Sequence, residues 1–214
     1  MKKLIVAALI LSGASLKAQH DVSLDVVSFA FSKYGLGYEY ALNSQNSVGI
    51  NFNMSSKNAF DDMKVPLYGE YKYSEMNIIP EYKWFATPNK GNDGVYMGFY
   101  GKFRTSSSKD NVYAGMQDTI PVLGKTDVST SGISIGVLTG YKWKTAGAFF
   151  MEVTFGVGKF ISNSVTVSDE ANIDKLTTTD FDQDNYIPYV GNDMAVDLRI
   201  AGKIGFRFGG GSKE

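Results

Sequence analysis

Four segments of alternating residues each close on an aromatic–charge–aromatic triplet: Tyr38-Glu39-Tyr40, Tyr82-Lys83-Trp84, Tyr141-Lys142-Trp143 and Phe206-Arg207-Phe208. In a β-strand, residues i and i+2 share a face and residue i+1 points the other way. Each triplet therefore sets two rings on one face and a charge on the opposite face. Four strands that end alike run in the same direction and hold their rings at one level. A belt of rings with charges behind it suits a sheet that crosses a membrane–water boundary.

The period-two pattern occurs eight times, over 22–31, 34–42, 47–55, 70–85, 95–105, 133–144, 149–161 and 194–208. In each, an apolar face opposes a face of glycines, small polar residues and charges. In the seventh, for instance, Phe149, Met151, Val153, Phe155 and Val157 oppose Glu152, Thr154, Gly156 and Gly158. Alternation this regular predicts strands and excludes helices. Pro80 has no N–H to give to a ladder, so a local irregularity is expected there.

The connections alternate in length. Residues 43–46, 87–94 and 145–147 are short, whereas 56–69, 106–132 and 162–193 are long and polar. The link at Ser32-Lys33 is short but falls on the long-loop side. Short turns at one end and long loops at the other are the asymmetry of outer-membrane barrels. The eight rings Tyr38, Tyr40, Tyr82, Trp84, Tyr141, Trp143, Phe206 and Phe208 lie at the short-turn end, where they would form a periplasmic girdle.

Residues 1–18 have the layout of a secretory signal peptide. Met1-Lys2-Lys3 is basic, Leu4 to Leu11 is apolar, and small residues lead to Ala18. The apolar run is well short of the roughly 20 residues that a spanning helix needs. The whole chain holds 21 basic and 22 acidic residues, and cleavage would remove Lys2, Lys3 and Lys17, leaving net −4. That charge gives no footprint for nucleic acid. There is no cysteine, which excludes disulfides, thiolate metal sites and thiol nucleophiles. The expected organisation is a signal peptide over 1–18, one barrel over 19–208, and a flexible tail over 209–214.

A soluble barrel would turn the apolar face inward. The glycines argue for the reverse. Gly35, Gly37, Gly49, Gly98, Gly136, Gly140, Gly156, Gly158 and Gly205 all lie on the charged face. A water-exposed face gains nothing from residues that weaken strands. An eight-stranded lumen is only just wide enough for side chains, so it needs small residues beside long ones. The polar face is therefore expected inside. A charged lumen must be satisfied internally. Glu39, Glu81, Glu152 and Asp197 are the candidate partners of Lys83, Lys102, Arg104, Lys142, Arg199 and Arg207 in a plug of ion pairs.

The segment Pro80-Glu81-Tyr82-Lys83-Trp84-Phe85, the Tyr38-Glu39-Tyr40 turn approach and the Phe-terminated last strand resemble the small outer-membrane β-barrel family. These are the eight-stranded porin-family barrels similar to OmpA and OmpX. Members usually end on the terminal aromatic, whereas here Gly209 to Glu214 continue past Phe208. The resemblance implies an all-β, up-and-down antiparallel transmembrane barrel in the outer membrane of a Gram-negative bacterium. It implies short periplasmic turns, long extracellular loops, no cofactor and no enzyme activity.

The chemistry available agrees with that expectation. General acid–base work falls most often to histidine. The one histidine, His20, is expected to fray ahead of the first strand. A carboxylate-only lipid hydrolase using Glu81 and Glu152 is the remaining enzyme reading, and a narrow passive pore is the remaining transport reading. Asp180-Phe181-Asp182-Gln183-Asp184 begins like a calcium loop, but Asn185 and Gly191 stand where glycine and glutamate are required. The expected partners are outer-membrane lipid and an extracellular protein or surface ligand met by 106–132 and 162–193.

Overall fold

The computed structural model describes residues 19–30, 33–55, 72–89, 91–145, 147–182 and 196–209. The signal peptide over 1–18 and the tail beyond 209 lie outside the described residues, as does the loop over 56–69.

Among the described residues, nine strands and two short helices follow one another. They are β1 (His20–Asp25), α1 (Val26–Ala30), β2 (Lys33–Ala41), β3 (Asn46–Ser55), β4 (Lys72–Phe85), β5 (Gly94–Gln117), β6 (Ile120–Lys144), β7 (Phe149–Val167), α2 (Glu170–Ile173), β8 (Thr178–Thr179) and β9 (Val196–Phe208). β1 to β7 and β9 pair antiparallel with their neighbours, and β9 pairs back onto β1. The result is an all-β, up-and-down barrel of eight strands.

The barrel is inverted relative to a soluble protein. Val22, Leu36, Ile50, Phe99, Ile135, Phe155 and Leu198 stand exposed on its outer face. Asp21, Glu39, Glu81, Lys83, Lys142, Glu152, Asp197, Arg199, Lys203 and Arg207 lie inside, none more than 7% exposed. Glycines make the inward packing possible. A Cβ on Gly140 would strike the Val153 carbonyl and the Tyr96 hydroxyl, and one on Gly205 would strike the Phe150 ring. The inner face also carries Phe85, Tyr96, Tyr100, Leu138 and Phe150, all buried, so the lumen is filled by rings as well as charges.

The structure departs from the sequence expectations at four places. The first strand was expected to run to Phe31 but stops at Asp25, where α1 begins. The Asp25 carboxylate accepts from the Ser28 backbone N–H (3.3 Å) and hydroxyl (2.7 Å), which caps a helix at that point. His20 does not fray. It pairs with Tyr40 and Phe208 and opens β1. Residues 106–132 are not an irregular loop: β5 and β6 continue as a ribbon to a two-residue turn at Asp118-Thr119. Apolar alternation fades there because the ribbon's buried face is mostly polar, with Ser106, Ser108, Asn111, Thr126 and Thr130, while Ser, Thr, Tyr and Val still permit a strand.

The fourth departure concerns residues 162–193. β7 runs on to Val167, and the chain then returns through α2 and β8 to dock on β5 at Gly115 and Met116. The calcium-like run from Gln183 onward lies outside the described residues, while Asp180 caps the Ala114 N–H at 2.7 Å. At Pro80 the pairing with Ile50 of β3 is kept, but on the β5 side the ladder skips Ile79 and Pro80 without changing register. Two residue pairs are lost there, and the register on either side is unchanged.

The inward glycines make a test. Gly140→Ala forces a methyl against a backbone carbonyl and is expected to cost about 1–3 kcal/mol, the usual penalty of overpacking. Gly147→Ala, whose Cβ would meet nothing within 4 Å, is expected to be neutral. Urea unfolding of the two variants in detergent micelles measures the difference.

Candidate functional site

The ladder itself brings opposite charges together. Lys142 of β6 faces Glu152 of β7, and Glu152 faces Lys203 of β9. Asp21 of β1 faces Arg207 of β9 on one side; on the other it faces a like charge, Glu39 of β2, and Lys142 bridges the two carboxylates. Side chains directly across an antiparallel pair are the nearest neighbours a sheet provides, and opposite charges there attract. Glu81 and Lys83 reach in from β4 because their ladder partners on β3 and β5 include Gly49 and Gly98, which leave them room.

The charges converge into one network. Lys83 Nζ lies 2.6 Å from Glu39 Oε2, 2.6 Å from Glu152 Oε1 and 3.1 Å from Glu81 Oε1. Lys142 Nζ lies 2.7 Å from Glu39 Oε1, 2.9 Å from Asp21 Oδ2 and 3.6 Å from Glu152 Oε2. Glu81 also meets Arg199 at 2.7 Å and Lys203 at 3.2 Å, and Arg207 clamps Asp21 through Nε (2.7 Å) and Nη2 (2.8 Å). Each of the four carboxylates thus has at least two cations, and no single break leaves one bare. The Tyr96 hydroxyl donates to Glu152 at 2.8 Å.

Carboxylate oxygens of Glu39, Glu81 and Glu152 lie within 4.8 Å of one another, the spacing of a metal-binding cluster. The Lys83 ammonium stands among all three and supplies the positive charge that a metal would bring. Rings seal the network on the short-turn side: Lys83 lies 4.9 Å from the Tyr96 centroid and Lys142 4.7 Å from that of Phe150. Below them the turn between β4 and β5 tucks under the barrel, where Arg207 donates to the carbonyls of Asn92 (3.1 Å) and Gly91 (3.3 Å).

Lys102 and Arg104 stand apart from this network. Lys102 pairs with Asp197 at 2.7 Å, and Asp197 also accepts from Tyr100 (3.1 Å) and Ser134 (2.6 Å). Arg104 lies over the Phe160 ring at 4.7 Å. Asp21 was missed as a pairing partner because the first strand was started at Val22. The alternation of Val22 and Leu24 extended one residue back would have found it. Tyr96 and Phe150 carry no charge, so a search for ion pairs passes over them.

The eight girdle candidates gather at the short-turn end. Tyr141 and Trp143 lie 4.5 Å apart, and Phe206 meets Phe149 edge-on at 5.5 Å. His20 joins them, stacked on Phe208 at 5.3 Å and bonded through Nδ1 to the Tyr38 hydroxyl at 2.7 Å. At the other end the β5–β6 ribbon and the returning chain form a second cluster. There the Tyr113 hydroxyl donates to Asp169 at 2.6 Å, and that carboxylate pushes the Tyr113 phenol up to about 12.

Residues 3–193 match the family model described as proteins of unknown function, DUF3575. The chain belongs to that family. None of the curated proteins matches it in sequence. Among solved structures it is similar to CarO2 of Acinetobacter baumannii, at 12% identity and a TM-score of 0.43, covering 91% of this chain and 98% of that one. CarO of the same organism gives 12% identity and a TM-score of 0.40, covering 91% of this chain and 97% of the other.

Removing the central cation tests how far the network holds the barrel. Lys83→Met leaves three carboxylates facing one another in a buried site. Lys142, Lys203 and Arg199 still reach these carboxylates, so the change is expected to destabilise by about 1–3 kcal/mol, the cost of losing one buried charged partner. Adding Glu152→Gln in the same chain is expected to recover part of that loss. Urea titrations of wild type, single and double variants read the coupling directly.

Proposed function

We propose that this chain is an integral outer-membrane β-barrel of a Gram-negative bacterium, a closed stem that acts through its outer hairpins. The observation that carries this reading is the inversion of the barrel. An outer face of Phe, Leu, Ile, Val and Met around a lumen of ion pairs is stable only when lipid is the solvent outside. The basic, apolar and small-residue layout of residues 1–18 supports export, and the small barrels similar to OmpA and OmpX remain the architecture it resembles.

The lumen favours a stem over a pore. Four buried carboxylates and their cations fill it at one level, Phe85, Tyr96 and Phe150 pack beside them, and the Gly91-Asn92 turn closes the end. The same packing argues against a carboxylate hydrolase: Glu81 and Glu152 are each held by lysines and buried away from any substrate. The ribbon over 106–132 and the docked segment that follows β7 are the surfaces left for recognition, since loops on a rigid scaffold are where binding usually sits. The acidic run Asp169, Glu170, Asp174, Asp180 and Asp182 favours a cationic or metal-bridged partner, less so as salt screens it.

The protein is expected to remain with membranes after carbonate washing, to migrate faster in gels when unheated, and to give no unitary conductance in planar bilayers. Steady unitary steps would favour the pore, and full release by carbonate would overturn the membrane reading altogether.

A further inference from the structure

The barrel wall is incomplete at one place. β1 has six residues, where a membrane-crossing strand takes roughly 9–11. Its pairing with β9 ends at Asp25↔Lys203 and its pairing with β2 at Leu24↔Leu36. Beyond that point β9 runs on from Gly202 back to Val196, paired only with β7, and β2 runs on to Lys33, paired only with β3, among the described residues. A notch one strand wide separates them, on a sheet whose strands lie about 4.8 Å apart.

Its borders are apolar on the outside. Leu198 is 73% exposed and Ile200 63%, with Tyr34 and Leu36 on the opposite rim. The Gly202 N–H points into the notch, since it donates to Asp25 at 3.2 Å. By the two-residue repeat, the backbone groups of Leu198 and Ile200 point the same way. An open strand edge is not tolerated in lipid, so something must cover it.

The cover is α1. Val27 rests on the outer face of β9 at Gly202, where a Cβ would lie 2.6 Å from a Val27 methyl. Phe29 meets Tyr34 of β2 edge-on at 5.6 Å. One short helix thus straps β9 to β2 across the notch. Among the described residues its polar tie to β9 runs through Asp25, whose carboxylate holds the Gly202 N–H together with the Ser28 N–H and hydroxyl. A five-residue helix has little stability of its own and depends on these contacts.

We infer that α1 is a lateral gate: its release opens the barrel wall between β9 and β2 to a single hydrocarbon chain of a membrane amphiphile. The slot is too narrow for a folded partner. Its apolar rims match an acyl chain, and the backbone groups of Leu198 and Ile200, which pair with no other strand on this side among the described residues, offer hydrogen bonds to a hydroxyl or carboxyl headgroup. The inference rests on the membrane reading above, so its test starts from protein already shown to be folded in bilayers by its gel mobility.

The absence of native cysteine makes the test clean. The Val27 Cβ lies 3.6 Å from where a Gly202 Cβ would stand, within the roughly 3.5–4.5 Å that a disulfide spans. In V27C/G202C, oxidation locks the strap and reduction frees it in the same folded sample. The probe is a twelve-carbon fatty acid bearing a photoactivatable diazirine, read by mass spectrometry. Labelling of Asp25, Ala201 and Lys203, buried while α1 is in place, is expected to fall at least fivefold on oxidation and to return on reduction. Labelling at Phe99, on β5 across the barrel from the notch, is expected to stay constant. Asp25→Asn, which weakens the tie while keeping its size, is expected to raise notch labelling. Equal notch labelling in the oxidised and reduced forms would overturn the gate, even with the protein fully membrane-bound.

Discussion

Everything in this barrel depends on the ion network around Lys83 and Lys142. Turning the apolar face outward forces the charged face into a space that water cannot freely fill. A lone carboxylate there would be prohibitively costly, and even a simple pair scarcely offsets its own desolvation. The structure answers with multiplicity. Glu39, Glu81, Glu152 and Asp21 are shared among Lys83, Lys142, Lys203, Arg199 and Arg207, drawn from β1, β2, β4, β6, β7 and β9. Such a network stitches strands that are far apart in sequence, and it can be satisfied only in one register. A slip by one residue would turn every charge to the outside. The network therefore specifies the barrel as well as filling it.

Much of this was legible before the structure. Alternation located the eight wall strands, and the triplets marked the end where β2, β4, β6 and β9 finish. Glycines on the charged face pointed that face inward. Strand ends were less legible. Asp25 reads as one more inward residue of β1, and nothing in Val26 to Phe31 distinguishes a strand from a helix by periodicity alone. The hydrogen bonds of Asp25 to Ser28 and Gly202 decide it, and they exist only once β9 has closed the barrel. The β5–β6 ribbon escaped notice for a different reason. Beyond the apolar band the outward face turns polar and the buried face is lined by Ser106, Ser108, Asn111, Thr126 and Thr130, so the apolar alternation that reveals strands disappears while the ladder continues.

The wall and the plug together make a stem that is rigid at its base and weakest at one seam. The lower half of β1 is bound on both sides, and His20 stacks on Phe208 and meets Tyr40 edge-on. The upper half is replaced by a helix held through Asp25 and two apolar contacts. Opposite this seam, the long β5–β6 ribbon rises well beyond the other hairpins and is braced by α2 and β8. Recognition at the ribbon and access at the seam would then be separate properties of one scaffold, neither requiring the plug to move.

The inversion of the barrel is the claim on which the rest stands, and a nitroxide scan along β7 tests it most directly. With no native cysteine, each residue from Phe149 to Lys159 can be labelled singly in bilayers. The account predicts a two-residue period in which Phe149, Met151, Val153, Phe155 and Val157 are open to oxygen dissolved in lipid and closed to a water-soluble nickel relaxant. Sites between them are predicted to be shielded from oxygen. The opposite phase, with the nickel complex reaching Phe155 and its neighbours, would contradict it.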